Sequence, residues 1–259
     1  MPDTLDPREI FEKSAEEGER RLDQSLLELL STGYIAGFTI VFGIIALAIV
    51  EALARPSLGE LSQLLGALAF GIGLPFLILG RAELFSENFF DPIAAAFKSK
   101  VGGMARKILR LWLLTLILNL LGGGVLVLVV SVDGALPSGA HDALIRVAEH
   151  IADRSSLATL MRAIIGGALV ALLSYLVIAS RDSTGRILLS YVTGVLLALG
   201  PFEHAVVTML HLAFGFTFGA AITLIDIARV FALSILGNLL GGVGLVTMSH
   251  AAQAKGADR

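Results

Sequence analysis

The sequence predicts an all-α membrane protein of six spans, built as two related halves of three that enter the membrane from opposite sides, with the second and fifth spans broken. Three observations lead there. The chain is 56% hydrophobic and only 16% charged over 259 residues, with a mean hydropathy of +0.84, whereas about a quarter of the residues of a soluble domain are charged. The pentapeptide Asn-Leu-Leu-Gly-Gly occurs twice, starting at Asn119 and at Asn238, each time inside a long apolar stretch. Upstream, Leu79-Gly80-Arg81-Ala82-Glu83 is echoed by Leu199-Gly200-Pro201-Phe202-Glu203, so the spacing from glutamate to asparagine nearly repeats. Internal duplication in an apolar chain points to a transport pore.

Residues 1–30 are charged and lack the apolar core of a cleavable signal. Within them, residues 6–30 carry Ile10, Phe11, Leu22, Leu26 and Leu29 at mostly helical spacing among mixed charges. This predicts an amphipathic cytoplasmic helix, read as a solvated or interfacial extension rather than a cover over the pore mouth. The first repeat occupies 31–131. Its first span runs from about 31 to 54 and closes at Arg55-Pro56. The second, from about 61 to 97, contains Arg81, Glu83, Glu87, Asp91 and Pro92, which lipid-facing backbone does not tolerate. It reads as a helix broken by a loop that lines a cavity. The third span covers about 106–131.

Residues 132–158 form an external loop with a short helix near 140–153, whose His141 and His150 read as surface histidines. The second repeat, 159–249, holds a fourth span to about 180, a fifth at about 186–217 and a sixth at about 224–249. The fifth is interrupted by Gly200-Pro201, at the place equivalent to the first break. Residues 250–259 are a cytoplasmic tail. With the N-terminus inside, thirteen of the nineteen Lys and Arg, Lys100 and Arg259 among them, fall on the cytoplasmic side and three on the outside. That bias places both termini in the cytoplasm of an inner, plasma-type membrane. Cysteine is absent, which excludes disulfides and thiolate metal sites.

Few residues are left to carry chemistry. His204 follows Glu203 directly after the Gly-Pro break, and an ionisable group within a span must line water, pair, or stay neutral. It is either a pore group or a neutral histidine bonded to a neighbouring helix. His211, seven residues on, reads as packing ahead of a second pore lining. Glu83 and Glu203 stand at the two breaks, where carboxylates can accept unpaired backbone N–H groups and hold the loop. Asn119 and Asn238 sit in mid-span, where an amide can tie a break or cross a helix interface. All four read as scaffold.

Glu83-Leu84-Phe85-Ser86 resembles the acidic-Leu-Phe-Thr loop of the formate/nitrite transporter family. Phe202-Glu203-His204 with Met209 resembles that family's fifth-span signature, and Gly237 to Gly242 its sixth-span Gly-Asn pattern. The resemblance implies an aquaporin-like protomer with its own pore, assembled as a homopentamer in a lipid membrane. It would pass small monovalent anions such as formate, nitrite or hydrosulfide, or their acids, without a cofactor and without nucleic acid as a partner. It places His204 at the pore centre with Ser86 as its hydroxyl partner and Thr208 nearby. Leu84 and Phe85 would form a constriction, with Phe70, Leu74 and Leu197 as further candidates by spacing, and Arg162 would attract the anion. The sequence departs from the family pattern at Thr208 and Gly167, where asparagines are usual, and at Arg81 and Glu87, which add charge to the first break.

The physical logic is independent of the family. A bare anion is costly to desolvate at an apolar constriction, and a neutral weak acid far less so. Other readings are an aquaporin-like facilitator of neutral solutes, a non-transporting structural pentamer, and a membrane enzyme with Glu203, His204 and His211 as metal ligands. Two histidines seven apart without a further partner in their span make a poor closed metal shell.

Overall fold

The structure is a computed structural model that describes residues 5–99 and 102–257, so Lys100 and Arg259 of the charge count lie outside the described residues. Its regular structure among those residues is all helical: α1 (Pro7–Leu22), α2 (Leu26–Leu58), α3 (Ser62–Phe70), α4 (Gly73–Leu79), α5 (Asp91–Lys98), α6 (Met104–Val130), α7 (Ala140–Ala152), α8 (Ser156–Ala179), α9 (Ser183–Leu199), α10 (Ala205–Thr217), α11 (Leu224–Leu239) and α12 (Met248–Gly256). Four helical runs are long and apolar enough to cross a membrane, and α9 and α10 are shorter apolar helices.

The first run, Leu26–Leu79, is 54 residues long because α3 and α4 fold back along α2. A Cβ on Gly66 would meet Leu47, and one on Gly73 would lie 3.3 Å from the Cα of Gly43. Pro56 does not end α2 but sits in its last turn, and the chain turns at Gly59, which has φ of 54°. Between α4 and α5 the chain is non-helical apart from a 3-10 turn at Ser86–Phe89. Residues Gly200 to His204 interrupt α9 and α10 in the same way. Hydrogen bonds five residues apart close the helix before each break: the Ala82 N–H donates to Leu77 O at 3.1 Å and the Phe202 N–H to Leu197 O at 3.0 Å. In the first, the chain turns through Arg81 at a left-handed φ of 50°; in the second, Gly200-Pro201 makes the turn.

Glycines set how closely the helices approach, as is usual where there is little water to squeeze out between them. A Cβ on Gly37 of α2 would fall 2.0 Å from Asn119 O of α6, and one on Gly167 of α8 would fall 2.3 Å from the Cα of Asn238 of α11. The absent asparagine at Gly167 therefore has a steric cause: no side chain fits there. After α11 the chain widens into a π-helical stretch over Leu240–Thr247, where the sequence predicted an unbroken span. Gly242 there lies against the ring of Phe89, and the Thr247 hydroxyl donates to Phe89 O at 3.1 Å.

Two differences from the sequence reading concern the N-terminus. The predicted helix over 6–30 is two elements, because Ser25 caps a new helix by accepting the Glu28 N–H at 3.2 Å; Leu26 and Leu29 belong to α2. Nor is α1 a solvated arm. Its Ile10, Phe11 and Ala15 are buried in a cluster with Phe90, Ala94, Tyr175 and Val246, and its Gly18 lies under Asp91 O. Outward-facing apolar ridges remain, such as Leu109, Leu113, Ile117, Leu121, Val125 and Leu128 on α6. Soluble monomers rarely show so much.

Gly37→Ala and Gly167→Ala should each lower the thermal midpoint of the purified protein by an amount matching at least about 1–3 kcal/mol, because backbone rather than a flexible side chain must move. Gly124→Ala, where nothing lies within 4 Å of the added carbon, should be neutral or stabilising in the same melting assay. On α1, burial pushes the Glu17 carboxyl up but Arg20 and Arg21 hold it down, at about 2. A depressed carboxylate stabilises the folded state fully above its unfolded value and loses that contribution as pH falls through the folded value. Hydrogen exchange in α1, corrected for intrinsic rates, should therefore be steady above about pH 5 and rise progressively as pH falls from about 4.5 towards 2. Glu17→Gln should flatten that component.

Candidate functional site

The two breaks meet in the interior, and an asparagine amide satisfies the exposed backbone of each. Asn119 Oδ1 accepts the Phe85 N–H at 2.9 Å, while its Nδ2 donates to Glu83 O at 2.9 Å and Gly33 O at 2.8 Å. Asn238 Oδ1 accepts the Ala205 N–H at 2.8 Å, while its Nδ2 donates to Glu203 O and Ala163 O, both at 2.8 Å. One amide thus covers an acceptor and a donor two residues apart in each break, and ties them to a neighbouring helix. A carboxylate, which only accepts, does half of that.

This corrects the role expected for the glutamates. Neither carboxylate takes a backbone N–H of its break; both are held by arginines. Glu203 pairs with Arg154 and accepts the Thr208 hydroxyl at 2.8 Å. Glu83 accepts from Gln24 at 3.0 Å and pairs with Arg20 at 3.2 Å and Arg21 at 3.4 Å. The Arg21 guanidinium also reaches Glu87 at 2.8 Å, Asn88 Oδ1 at 2.9 Å and Asp91 at 3.5 Å. Glu87, unexplained in sequence, thus shares the Arg21 guanidinium of α1 with Glu83 and Asp91, while Arg81 stays exposed.

Between the breaks, Ser86 Oγ and His204 Nε2 are hydrogen-bonded, with Ser86 0% and His204 1% exposed. The tautomer follows from the other ring nitrogen. His204 Nδ1 accepts the Val207 backbone N–H at 3.4 Å, so Nε2 carries the hydrogen and donates it to Ser86. Ser86 keeps its own hydroxyl hydrogen for a further acceptor. The Thr208 hydroxyl accepts the His204 N–H at 3.1 Å and donates to Glu203, so it orients the break rather than presenting a free donor.

Leu84 and Phe85 are buried beside this pair, the Phe85 ring standing edge-on to Phe89 with centroids 4.9 Å apart. Phe89 in turn meets Trp112, whose indole N–H donates to Asn88 O at 2.8 Å. A funnel of about 770 Å³ has Phe70, Leu197, Val207, Thr208 and His211 as buried parts of its lining. Leu74 is buried in the core but is not among the funnel's lining residues. Arg162 is not either: its guanidinium donates to Pro201 O at 3.2 Å. The arginines that do line the funnel are Arg55, Arg146 and Arg154, the first two pairing with Glu51 at 3.5 and 3.3 Å. Sequence reasoning missed them because they were counted only as loop charges. His141, read as a surface group, stacks on Phe218 with centroids 4.0 Å apart. Among the described residues no three His, Asp or Glu side chains are grouped to hold a metal.

The sequence pattern of the formate/nitrite transporter family matches residues 8–252. The chain belongs to the formate/nitrite transporter family. It is an integral membrane protein of that family of transporters and channels. Among its relatives, the formate channel BtFdhC of Bacillus thuringiensis is 26% identical over 245 residues, covering 94% of this chain and 93% of that one. The transporter YrhG of Bacillus subtilis is 30% identical, covering 93% and 91%. The inner membrane protein YfdC of Escherichia coli is 25% identical, covering 93% and 77%. In structure the family member resembles an FNT family ion channel with a TM-score of 0.83 at 20% identity, over 94% of this chain and 98% of that one. It also resembles a pentameric formate channel with formate bound, TM-score 0.69 at 18% identity, over 92% and 98%.

Removing either bridging amide should be costly. Asn238→Leu strands the Ala205 N–H and the Glu203 carbonyl, at roughly 1–3 kcal/mol for each group left unmet, while Ala163 O, inside its helix, keeps its intrahelical partner. Asn238→Asp keeps the acceptor for Ala205 but loses both donors, so it too should melt well below the parent in detergent. An Asn238→Asp variant with an unchanged midpoint would show that the amide donors do not matter.

Proposed function

We propose that this chain is a pore for small monovalent anions that cross as, or through, their weak acids, of the formate, nitrite and hydrosulfide type. The observation that carries the reading is the Ser86–His204 pair, a hydrogen-bond donor system held without charge where the two breaks meet. Apolar walls on either side favour the neutral acid over the anion. In this reading Leu84 and Phe85 form one constriction, Phe70 and Leu197 the other, and Leu74 backs the second. Arg146 and Arg154, which line the funnel, supply positive potential to an arriving anion in place of Arg162. Glu83, Glu203, Asn119 and Asn238 are scaffold.

The same proposal includes the architecture. Six spans in two inverted repeats, 31–131 and 159–249, with both termini in the cytoplasm of a bacterial-type inner membrane, are supported by the charge bias and by the matching amide bridges. A homopentamer is supported by the apolar outer ridges and by the likeness to a channel that is itself pentameric. One observation favours a neutral solute instead: each arginine lining the funnel pairs with a carboxylate, Glu51 or Glu203. Stopped-flow water and glycerol permeability decides between the two.

Reconstituted into liposomes, the protein should give saturable flux of at least one of formate, nitrite or hydrosulfide. His204→Leu should lower that flux more than tenfold, and Ser86→Ala, which removes one neutral hydrogen bond, by about two- to tenfold. No flux of any small weak acid, or flux indifferent to His204, would sink the proposal.

A further inference from the structure

The funnel's lining includes a second histidine that the Ser86–His204 pair does not use. His211 is 6% exposed and belongs to the buried lining of the funnel, its ring near-parallel to Phe70 with centroids 6.5 Å apart. Its Nδ1 lies 3.0 Å from Val207 O. A carbonyl oxygen only accepts, so Nδ1 carries the hydrogen and Nε2 of the uncharged ring presents a lone pair. That Nε2 is buried and has no hydrogen-bond partner among the described residues. A buried polar atom left unmet costs free energy that a donor from the funnel would recover.

His204 has the opposite arrangement: its Nδ1 accepts and its Nε2 donates. Two histidines seven residues apart therefore offer contrary functions, an acceptor in the funnel's lining and a donor at the centre. We infer that His211 Nε2 is a hydrogen-bond-accepting subsite for the neutral, protonated form of a small weak acid, occupied on the funnel side before the solute reaches His204. The inference rests on the weak-acid pore proposed above. A bare anion brings lone pairs against a lone pair and is repelled, whereas the acid has one O–H or S–H to donate. Phe70, Leu197 and Val207 add apolar walls that favour the uncharged form. Arg154, which lines the same funnel and attracts an anion towards it, is itself paired with Glu203, so at the ring the choice between acid and anion falls to hydrogen-bond direction.

The test uses the full chain in lipid nanodiscs with nitrogen-labelled histidine, the His211 resonances being assigned by their loss in His211→Gln. His211 should show the Nδ1-protonated tautomer, and its Nε2 resonance should move on adding formate at mildly acidic pH but not on adding chloride. An Nε2-protonated ring, no movement with formate, or equal movement with chloride would overturn the inference. In liposomes, His211→Leu should raise the half-saturating concentration for entry from the funnel side about three- to tenfold, the loss of one neutral hydrogen bond. His211→Gln, which retains an acceptor, should restore it to within about twofold. A formate-dependent shift in a protein with no weak-acid flux would leave the subsite standing and remove the transport reading. Flux without the shift would do the reverse.

Discussion

Two backbone gaps deep in an apolar chain are tolerable only if their exposed N–H and C=O groups find partners there, and in this protein one asparagine side chain at each gap meets both an N–H and a C=O of the break. Everything else is arranged around those two amides. To reach its break, each asparagine has to lie close against the facing helix, so Gly37 and Gly167 admit no Cβ. Because Phe85 and Ala205 are fixed by hydrogen bonds to the amides, the neighbouring residues Ser86 and His204 are brought within hydrogen-bonding reach. The central pair is thus a product of the scaffold rather than of its own affinity.

The two halves repeat this framework but fill it differently. The first break is loaded with carboxylates and answered by α1; the second carries a single carboxylate answered by Arg154 and Thr208. Buried ion pairs of this kind contribute little net stability, yet losing one partner leaves an uncompensated charge in a dry place. Arg21 is accordingly as much a part of the first break as the residues of the break itself, although it lies on a helix outside the repeats. The asymmetry extends to the place where the breaks meet, since the residue after the matched glutamate is Leu84 in one half and His204 in the other.

Much of this was legible in the sequence because it is local. Hydropathy and the Gly-Pro dipeptide located apolar helices and the breaks between them, and the recurrence of Asn-Leu-Leu-Gly-Gly marked both asparagines. What was not legible is long-range. Nothing near Glu87 announces Arg21, 66 residues away in the chain, and nothing near Glu203 announces Arg154. The glutamates were given the amides' task because a carboxylate at a helix end is a common cap, and spacing does not tell which of two polar groups turns inward. Gly167 looked like a loss when it is a steric requirement, and the π-helical stretch over Leu240–Thr247 leaves no signature beyond an abundance of glycine.

The order of the charged residues along the chain has a consequence for biosynthesis. At each break the arginine precedes the carboxylate that it holds: Arg20 and Arg21 come before Glu83, Glu87 and Asp91, and Arg154 comes before Glu203. A ribosome delivers them in that order, so the acidic group of each break emerges when its counter-ion has already been made. The carboxylates need never wait in the bilayer for a partner still to be translated. A topology that is awkward to insert thereby becomes one that can close half by half, from the N-terminus onward.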